Sequence, residues 1–368
     1  MKKKYKAAVV VSIFAAYSFV ATERIPPETV FIPRWITSLD DGKNAIPSVI
    51  KAEAGLEKKS TSAASAEFIP FELGRRFGYV NADGVFSINK EKTKNIYISP
   101  SLFAEYGGVE EKIEINNPSG GLSVLLENPQ GRPFFLDDKI FLINYGQYSI
   151  SRLGDSGAAL WTRDFPSVIT CVDGAAGILA VGMLDGSVEI VSRTGELIYE
   201  FEPSGSRIGA VFGCALSSDG SALAVVCGIG KQRFLYLEQA GSTWRITYHE
   251  FLEEGLRRPV YISFTDGNRR VVFERENSIG VYDSTDRIVS RVFLDGRVAG
   301  IDASGENGIL LLLTSDAGAN NKLIAIQYPG VVVMEAPFKS KTVFLSRKED
   351  VVFLGGDSLL ASFNLEKR

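Results

Sequence analysis

The sequence predicts an all-β fold, a ring of small antiparallel sheets, on three observations. Val168–Phe201 reads as four short apolar-alternating runs, Ile169–Val172, Ile178–Met183, Val188–Ser192 and Leu197–Phe201. Turn residues separate them at Asp173-Gly174, Asp185-Gly186 and Thr194-Gly195, and Asp-Gly is among the strongest short hairpin signals. A four-stranded sheet of this size cannot bury both faces alone, and the same pattern recurs along the chain. The composition agrees: 36 Gly and 23 Phe with only three Met suit tight turns and sheet faces better than helical bundles. A stack of such sheets closed on itself is a β-propeller.

Taken in order, the chain opens with MKKKYK and then a 15-residue apolar run, Ala7–Ala21. Basic residues followed by such a run have the form of a bacterial export segment. The expectation is a signal-anchor over 1–21 that leaves the remainder outside the cytoplasmic membrane. Lys2, Lys3, Lys4 and Lys6 hold the N-terminus inside. A cleaved signal peptide is the alternative, although Phe19 before Ala21 fits a cleavage site badly. Residues 22–66 read as a linker or stalk, since Pro26, Pro27, Pro33 and Pro47 break any long helix and Lys58–Ala66 is small and polar.

Residues 67–368 carry the repeat. One unit begins near Phe77 and ends near Asn117, and a second runs from Pro133 to Phe165. Val168–Phe201 is the third unit. Gly209–Phe251, Pro259–Leu294 and Val298–Phe338 follow, with Asp219-Gly220, Asp266-Gly267 and Ser304–Gly308 at equivalent turns. The last unit, Thr342–Leu365, is one strand short. A closed ring must hide its sheet edges, so Phe68–Leu73 (FIPFEL) is expected to supply that blade's outer strand. The expected architecture is a seven-bladed β-propeller, clasped by residues 68–73 and preceded by a membrane anchor helix and linker.

The units resemble blades of quinoprotein-like and WD-repeat-like propellers. The best local match is Arg152–Trp161, where Asp155, Gly157 and Trp161 are similar to the D-x-x-G-x-x-x-W corner of quinoprotein-type blades at slightly compressed spacing. Asp185-Gly186 with Thr194-Gly195-Glu196-Leu197 is a weaker copy without the Trp. The resemblance implies fold, and propeller fold is a poor guide to function. Members with a bound quinone use an adjacent Cys pair, a Trp floor and calcium ligands, and this chain has no adjacent Cys pair.

The chemistry-bearing motifs have plainer readings. Gly154-Asp155-Ser156-Gly157 looks like the nucleophile loop of trypsin-like proteases, but a triad needs a base, and the single His, His249, follows it in the chain. The four residues fit a strand-to-strand turn. One His cannot build a His-rich metal site, and His249 is expected on an outer strand. Gly228-Ile229-Gly230-Lys231 lacks the following helix that a phosphate loop needs and fits a hairpin turn. Asp137-Asp138 and Glu253-Glu254 lack the alternate-oxygen spacing of a calcium loop. Cys171, Cys214 and Cys227 read as small buried hydrophobes. A formal charge of −4 and a pI near 5.4 argue against a general nucleic-acid binder.

The expected function is therefore a non-catalytic scaffold in the bacterial cell envelope, presented to the periplasm. It has no cofactor and no metal, and its partners are envelope or membrane proteins. A channel-site ligand-binding or hydrolytic propeller is the alternative. The candidate contacts are the loop residues Tyr145, Arg257, Arg258, Arg269 and Arg270. The irregular stretches Gly107–Gly131 and Gly228–Gly241 are the expected binding regions.

Overall fold

The computed structural model describes residues 29–40, 67–203, 205–241, 243–253, 255–304 and 308–367. Within them lie 31 strands in eight antiparallel sheets. The first strand in the chain, β1 (Thr29–Ser38), belongs to the last sheet. Blade I holds β2 (Ile69–Leu73), β3 (Arg76–Val80) and β4 (Phe86–Glu91). Blade II holds β5 (Asn95–Ile98), β6 (Phe103–Tyr106), β7 (Lys112–Asn116) and β8 (Leu122–Glu127). Blade III is β9 (Gly131–Leu136), β10 (Lys139–Asn144), β11 (Ser149–Leu153) and β12 (Ala159–Asp164). Blade IV is β13 (Ile169–Ala175), β14 (Ile178–Met183), β15 (Val188–Val191) and β16 (Leu197–Phe201). Blade V is β17 (Ile208–Leu216), β18 (Ala222–Ile229), β19 (Arg233–Ala240) and β20 (Thr243–Phe251). Blade VI is β21 (Ile262–Thr265), β22 (Arg270–Arg275), β23 (Ser278–Asp283) and β24 (Ile288–Phe293). Blade VII is β25 (Arg297–Asp302), β26 (Ile309–Ser315), β27 (Asn320–Gln327) and β28 (Val331–Lys339). Blade VIII joins β29 (Val343–Lys348), β30 (Val351–Gly356) and β31 (Leu359–Lys367) to β1.

The ring has eight blades, not the expected seven. The clasp exists but is a different segment: β1 pairs antiparallel with β31, from Thr29 opposite Lys367 to Ser38 opposite Leu359. Phe68–Leu73 does not join the last blade, because β2 pairs with β3 and opens blade I. The stretch Phe77–Asn117 therefore spans two blades rather than one. Thr29–Ser38, expected as part of a stalk, is the closing strand. It contains Pro33, and the ladder slips between Pro33 and Trp35. Proline is tolerated there because β1 is the outermost strand, where a missing N–H breaks no ladder on its free side. The expected anchor helix over 1–21 lies outside the described residues. Among those described there is no α-helix, and so none long and apolar enough to cross a membrane.

Side-chain burial explains why these sequences form blades. In blade IV the middle strands β14 and β15 are buried along nearly their whole length, so they read as apolar runs, whereas the outer β16 is largely exposed. The same holds for the ILLLL run of β26. Each blade buries its faces on its two neighbours, and the core divides into eight clusters, one at each blade junction. Trp35, Phe71 and Phe353 fill the VIII–I junction, and Phe77, Tyr79 and Phe103 the I–II junction. The first strands of neighbouring blades touch at β5–β9, β13–β17, β17–β21 and β25–β29, and β29 against β2 joins blade VIII to blade I. Between Asp173-Gly174 and the observed turn there is a small shift. β13 runs on through both residues to Ala175, and the reversal is made by Ala176 and Gly177, both at positive φ as a type I′ hairpin requires.

Candidate interaction surfaces

Alternating strand direction sorts the connections onto two faces. First-to-second and third-to-fourth strand turns lie on one side, here the turn face. Second-to-third turns and blade-to-blade links lie on the other, the connection face.

The blades are fastened at their corners by aromatic side chains. Trp161, on the outer strand of blade III, reaches the third turn of blade IV, where its Nε1 donates to the carbonyl of Arg193 at 2.9 Å. Its ring lies over Gly195, at which a Cβ would come within 2.7 Å of the indole. The outer strand of blade VIII does the same to blade I. Trp35 Nε1 donates to the carbonyl of Ala82, also at 2.9 Å, two residues before Gly84 as Arg193 is two before Gly195. Gly84 and Gly195 share positive φ values of 81° and 86°. In the weaker copy of the motif, Tyr199 stands four residues after Gly195, as Trp161 stands after Gly157, and its hydroxyl donates to the Trp244 carbonyl in blade V at 3.1 Å. By this correspondence β2–β4 match the second to fourth strands of other blades. No channel-side strand of blade I occurs among the described residues.

Carboxylates stitch the channel side. Asp173 on β13 accepts the N–H of Leu216 on β17 at 2.7 Å, and Asp302 on β25 accepts that of Arg347 on β29 at 2.6 Å. Burial pushes the Asp173 carboxyl above its ordinary range, against the lowering effect of the Leu216 and Gly174 N–H groups.

The five candidate contacts divide between the faces. Tyr145, Arg257 and Arg258 lie on the connection face; Arg269 and Arg270 lie at the first turn of blade VI, on the turn face. Most are committed to neighbours. Tyr145 donates to the Gly108 carbonyl of blade II at 2.9 Å. Arg258 forms a two-pronged pair with the buried carboxylate of Glu274. Arg269 bonds both oxygens of Asp283 and lies near Asp286. Arg270 is 13% exposed at its side chain, pairs with Asp266 and Asp283, and sits over the Tyr328 ring. Arg257 is exposed and makes no ion pair with any described residue. It rims a cleft of about 480 Å³ on the connection face, shared with Arg275, Glu276 and Arg297.

The remaining motifs are turns and edges. GDSG is the third turn of blade III, with Gly154 and Ala158 bonded across it and Gly157 at positive φ. Gly228–Lys231 is the second turn of blade V, with Gly228 and Gly230 at positive φ. His249 is exposed on the outer strand β20, opposite Leu235. Asp138 pairs with Lys139 and Glu253 with Arg291; Glu254 lies outside the described residues. All three cysteines are free thiols, and Cys214 faces Val225, not Cys227, across its ladder.

Unforeseen from sequence is the apolar character of the connection-face tips. Val109 in blade II is 84% exposed and Phe293 at the end of blade VI is 72% exposed, with Leu184, Ile208 and Phe251 also open to solvent. Arg291 covers Phe293 at 4.5 Å and Arg233 covers Phe251 at 4.9 Å, so arginine and aromatic surface occur together. Val109 falls inside the irregular stretch Gly107–Gly131. The other tips carry no sequence signal, since an apolar residue ending a strand reads as core.

A β-propeller protein family matches residues 1–367. The chain belongs to that family. This propeller is 27% identical, over 370 residues, to an uncharacterized protein of Treponema pallidum (strain Nichols), covering 99% of the chain and 96% of that protein. Among solved structures it is similar to BamB from Moraxella catarrhalis, with a TM-score of 0.57 and 9% identity. That likeness covers 91% of this propeller and all of BamB. A chain of a mitotic checkpoint complex is similar at a TM-score of 0.53 and 14% identity, covering 86% of this propeller and 97% of that chain. At these identities the structural likenesses establish fold.

Proposed function

We propose that this propeller is a non-catalytic scaffold that docks envelope proteins through its connection face, outside the cytoplasmic membrane. The observation that carries the proposal is the set of exposed apolar tips on that face, Val109, Leu184, Ile208, Phe251 and Phe293, interleaved with arginines. Aromatic residues and arginine are enriched in protein interfaces, whereas isolated solvated loops need neither. Loops on a rigid ring are a common place for such contacts. That one structural neighbour is a chain within a multi-protein complex is consistent with docking. The corner formed by Asp155, Gly157 and Trp161, with Trp161 seated on the next blade, supports the quinoprotein-like kinship. The basic and apolar run Met1–Ala21 supports delivery to the envelope.

The test is affinity capture from detergent-solubilised membranes, with the intact mass of the same material. The proposal predicts membrane-fraction recovery and a co-purifying protein that is lost when Phe293 and Val109 are replaced by serine. A soluble cytoplasmic chain, or recovery without any co-purifying protein, overturns it. Intact mass lacking residues 1–21 would show cleavage rather than anchoring.

A further inference from the structure

A second surface stands on the turn face, in the groove between blades III and IV. It is a cleft of about 200 Å³. An apolar cavity of about 150 Å³ is enough to take a benzene ring, so this one has room for one large side chain. Leu136, Phe141 and Trp161 form one wall and Ile178 and Leu179 the other. Gly177 lies at the mouth, where a Cβ would meet the Arg193 methylenes at an ordinary contact distance of 3.8 Å.

Two guanidinium groups border this apolar floor. Arg152 donates from one Nη to the Arg193 carbonyl at 3.1 Å, while its Nε is buried and has no hydrogen-bond partner. Arg193 is exposed, and neither guanidinium lies within ion-pair distance of a described carboxylate, although Lys139 and, through space, Arg152 help to lower the Asp138 carboxyl. Lys139, also at the rim, is held by Asp138. Asp137 is the single carboxylate among the lining residues. A buried donor without a partner costs free energy unless an acceptor reaches it, and guanidinium groups favour carboxylates. Leu160, 61% exposed, and Leu197 and Ile198 stand at the turn-face ends of the outer strands of the same two blades. A peptide lying across that end has these exposed side chains to cover as well, which a small molecule in the cleft does not.

We propose that this cleft binds a segment of a partner protein in which an aromatic or large aliphatic side chain stands next to aspartate or glutamate. The side chain enters between Trp161 and Ile178, and the carboxylate meets Arg152 and Arg193. The inference rests on the scaffold reading and adds a second docking point, on the face opposite the apolar tips.

The test uses the full chain and a fluorescein-labelled dodecapeptide that alternates phenylalanine with aspartate, read by fluorescence anisotropy. The companion peptide alternates phenylalanine with lysine. Saturable binding of the acidic peptide alone is expected, weakened at least tenfold by Arg193→Glu and by raising the salt. Arg193 supplies only its backbone carbonyl to the blade junction, so this variant keeps the fold, which an unchanged melting temperature confirms. Arg152→Gln is the second variant and should also weaken binding. Equal binding of both peptides, no binding, or binding unchanged in both variants overturns the cleft. Membrane capture repeated with Arg193→Glu separates the two readings: a partner still captured in full, with no peptide bound by the wild type, leaves the scaffold standing and removes the cleft.

Discussion

The indole Nε1 of Trp35 donates to the carbonyl of Ala82, joining the outer strand of the last blade to a turn of the first. It repeats, at the point of ring closure, the contact that Trp161 makes with Arg193 between blades III and IV. Trp35 is 4% exposed and packs edge-on to Phe353. Trp35→Ala should cost about 3–5 kcal/mol, the range for deleting a buried large aromatic side chain. Trp35→Phe should cost less, mainly the lost partner of the Ala82 carbonyl, about 1–3 kcal/mol. Chemical denaturation measures both. Limited proteolysis should show cleavage first within Thr29–Ser38, because the clasp is what each variant loosens.

Gly195 and Trp161 should be energetically coupled. Gly195→Ala places a Cβ against the indole and puts a side chain at a φ of 86°, so it should destabilise by about 1–3 kcal/mol. In a Trp161→Ala background the steric part disappears and only the backbone part remains. A double-mutant cycle in denaturant reads the difference as a coupling of about 0.5–3 kcal/mol. An additive result would place the indole elsewhere.

Asp173 carries a pH prediction. Its folded carboxyl titrates above the ordinary value of 3.8, because burial outweighs the two N–H groups it accepts. The fold therefore binds this proton more tightly than the unfolded chain does. The contribution is fully present below 3.8 and is lost as pH rises through the raised folded value. Asp173→Asn keeps an acceptor for Leu216 and carries no charge, so at pH 7 it should be at least as stable as the wild type, with a flatter pH dependence. Asp173→Ala leaves the Leu216 N–H without its partner and should lose about 1–3 kcal/mol. Thermal melts from pH 3 to 8 compare the three.

Asp283 should behave in the opposite sense. Burial opposes its charge, but Arg269 and the N–H groups of Asp286 and Thr285 outweigh burial and hold its carboxyl below 3.8. Its stabilisation is present above 3.8 and disappears as pH falls through the lower folded value. Arg269→Ala should therefore move the acid-unfolding midpoint upward, a change read by circular dichroism along a pH titration.

Much of this architecture was legible in the sequence, and the errors have physical causes. Blade IV is legible almost strand for strand, because its turns use Asp-Gly and Thr-Gly pairs and its strands change abruptly in polarity. Only its first turn lies elsewhere than the sequence suggests. Asp173-Gly174 resembles a hairpin signal, yet Asp173 is held in the strand by the bond it accepts from blade V. The eighth blade is hidden in the sequence for two reasons. Blade I shows three strands among the described residues, so no four-strand period marks it. Its partner in closure, β1, contains Pro33 and follows Pro26 and Pro27 in the chain, so it reads as a broken stalk. The relation that marks this closure, Trp35 on the Asn81–Gly84 turn as Trp161 is on the Ser192–Gly195 turn, is a contact in space with no sequence spacing of its own.

The candidate site was less legible than the fold. Arginines stand out in the sequence because charge in a loop is visible there, but Arg258, Arg269 and Arg270 are largely committed to Glu274, Asp283 and Asp266. Which face a residue occupies depends on strand direction, and that separated Tyr145 and Arg257 from Arg269. The exposed Phe293 does not show in the sequence, which gives hydrophobicity without exposure, and Val109 shows there only as part of the irregular stretch Gly107–Gly131.

Site-specific photo-crosslinking in cells tests the docking face most directly. A benzophenone amino acid is placed at Val109 or Phe293, with Ile246, on the exposed outer strand of blade V, as the reference position. The scaffold account predicts crosslinks from Val109 and Phe293 to a common envelope protein, and none from Ile246. Equal labelling at all three positions, or no crosslink from Val109 and Phe293, would contradict it.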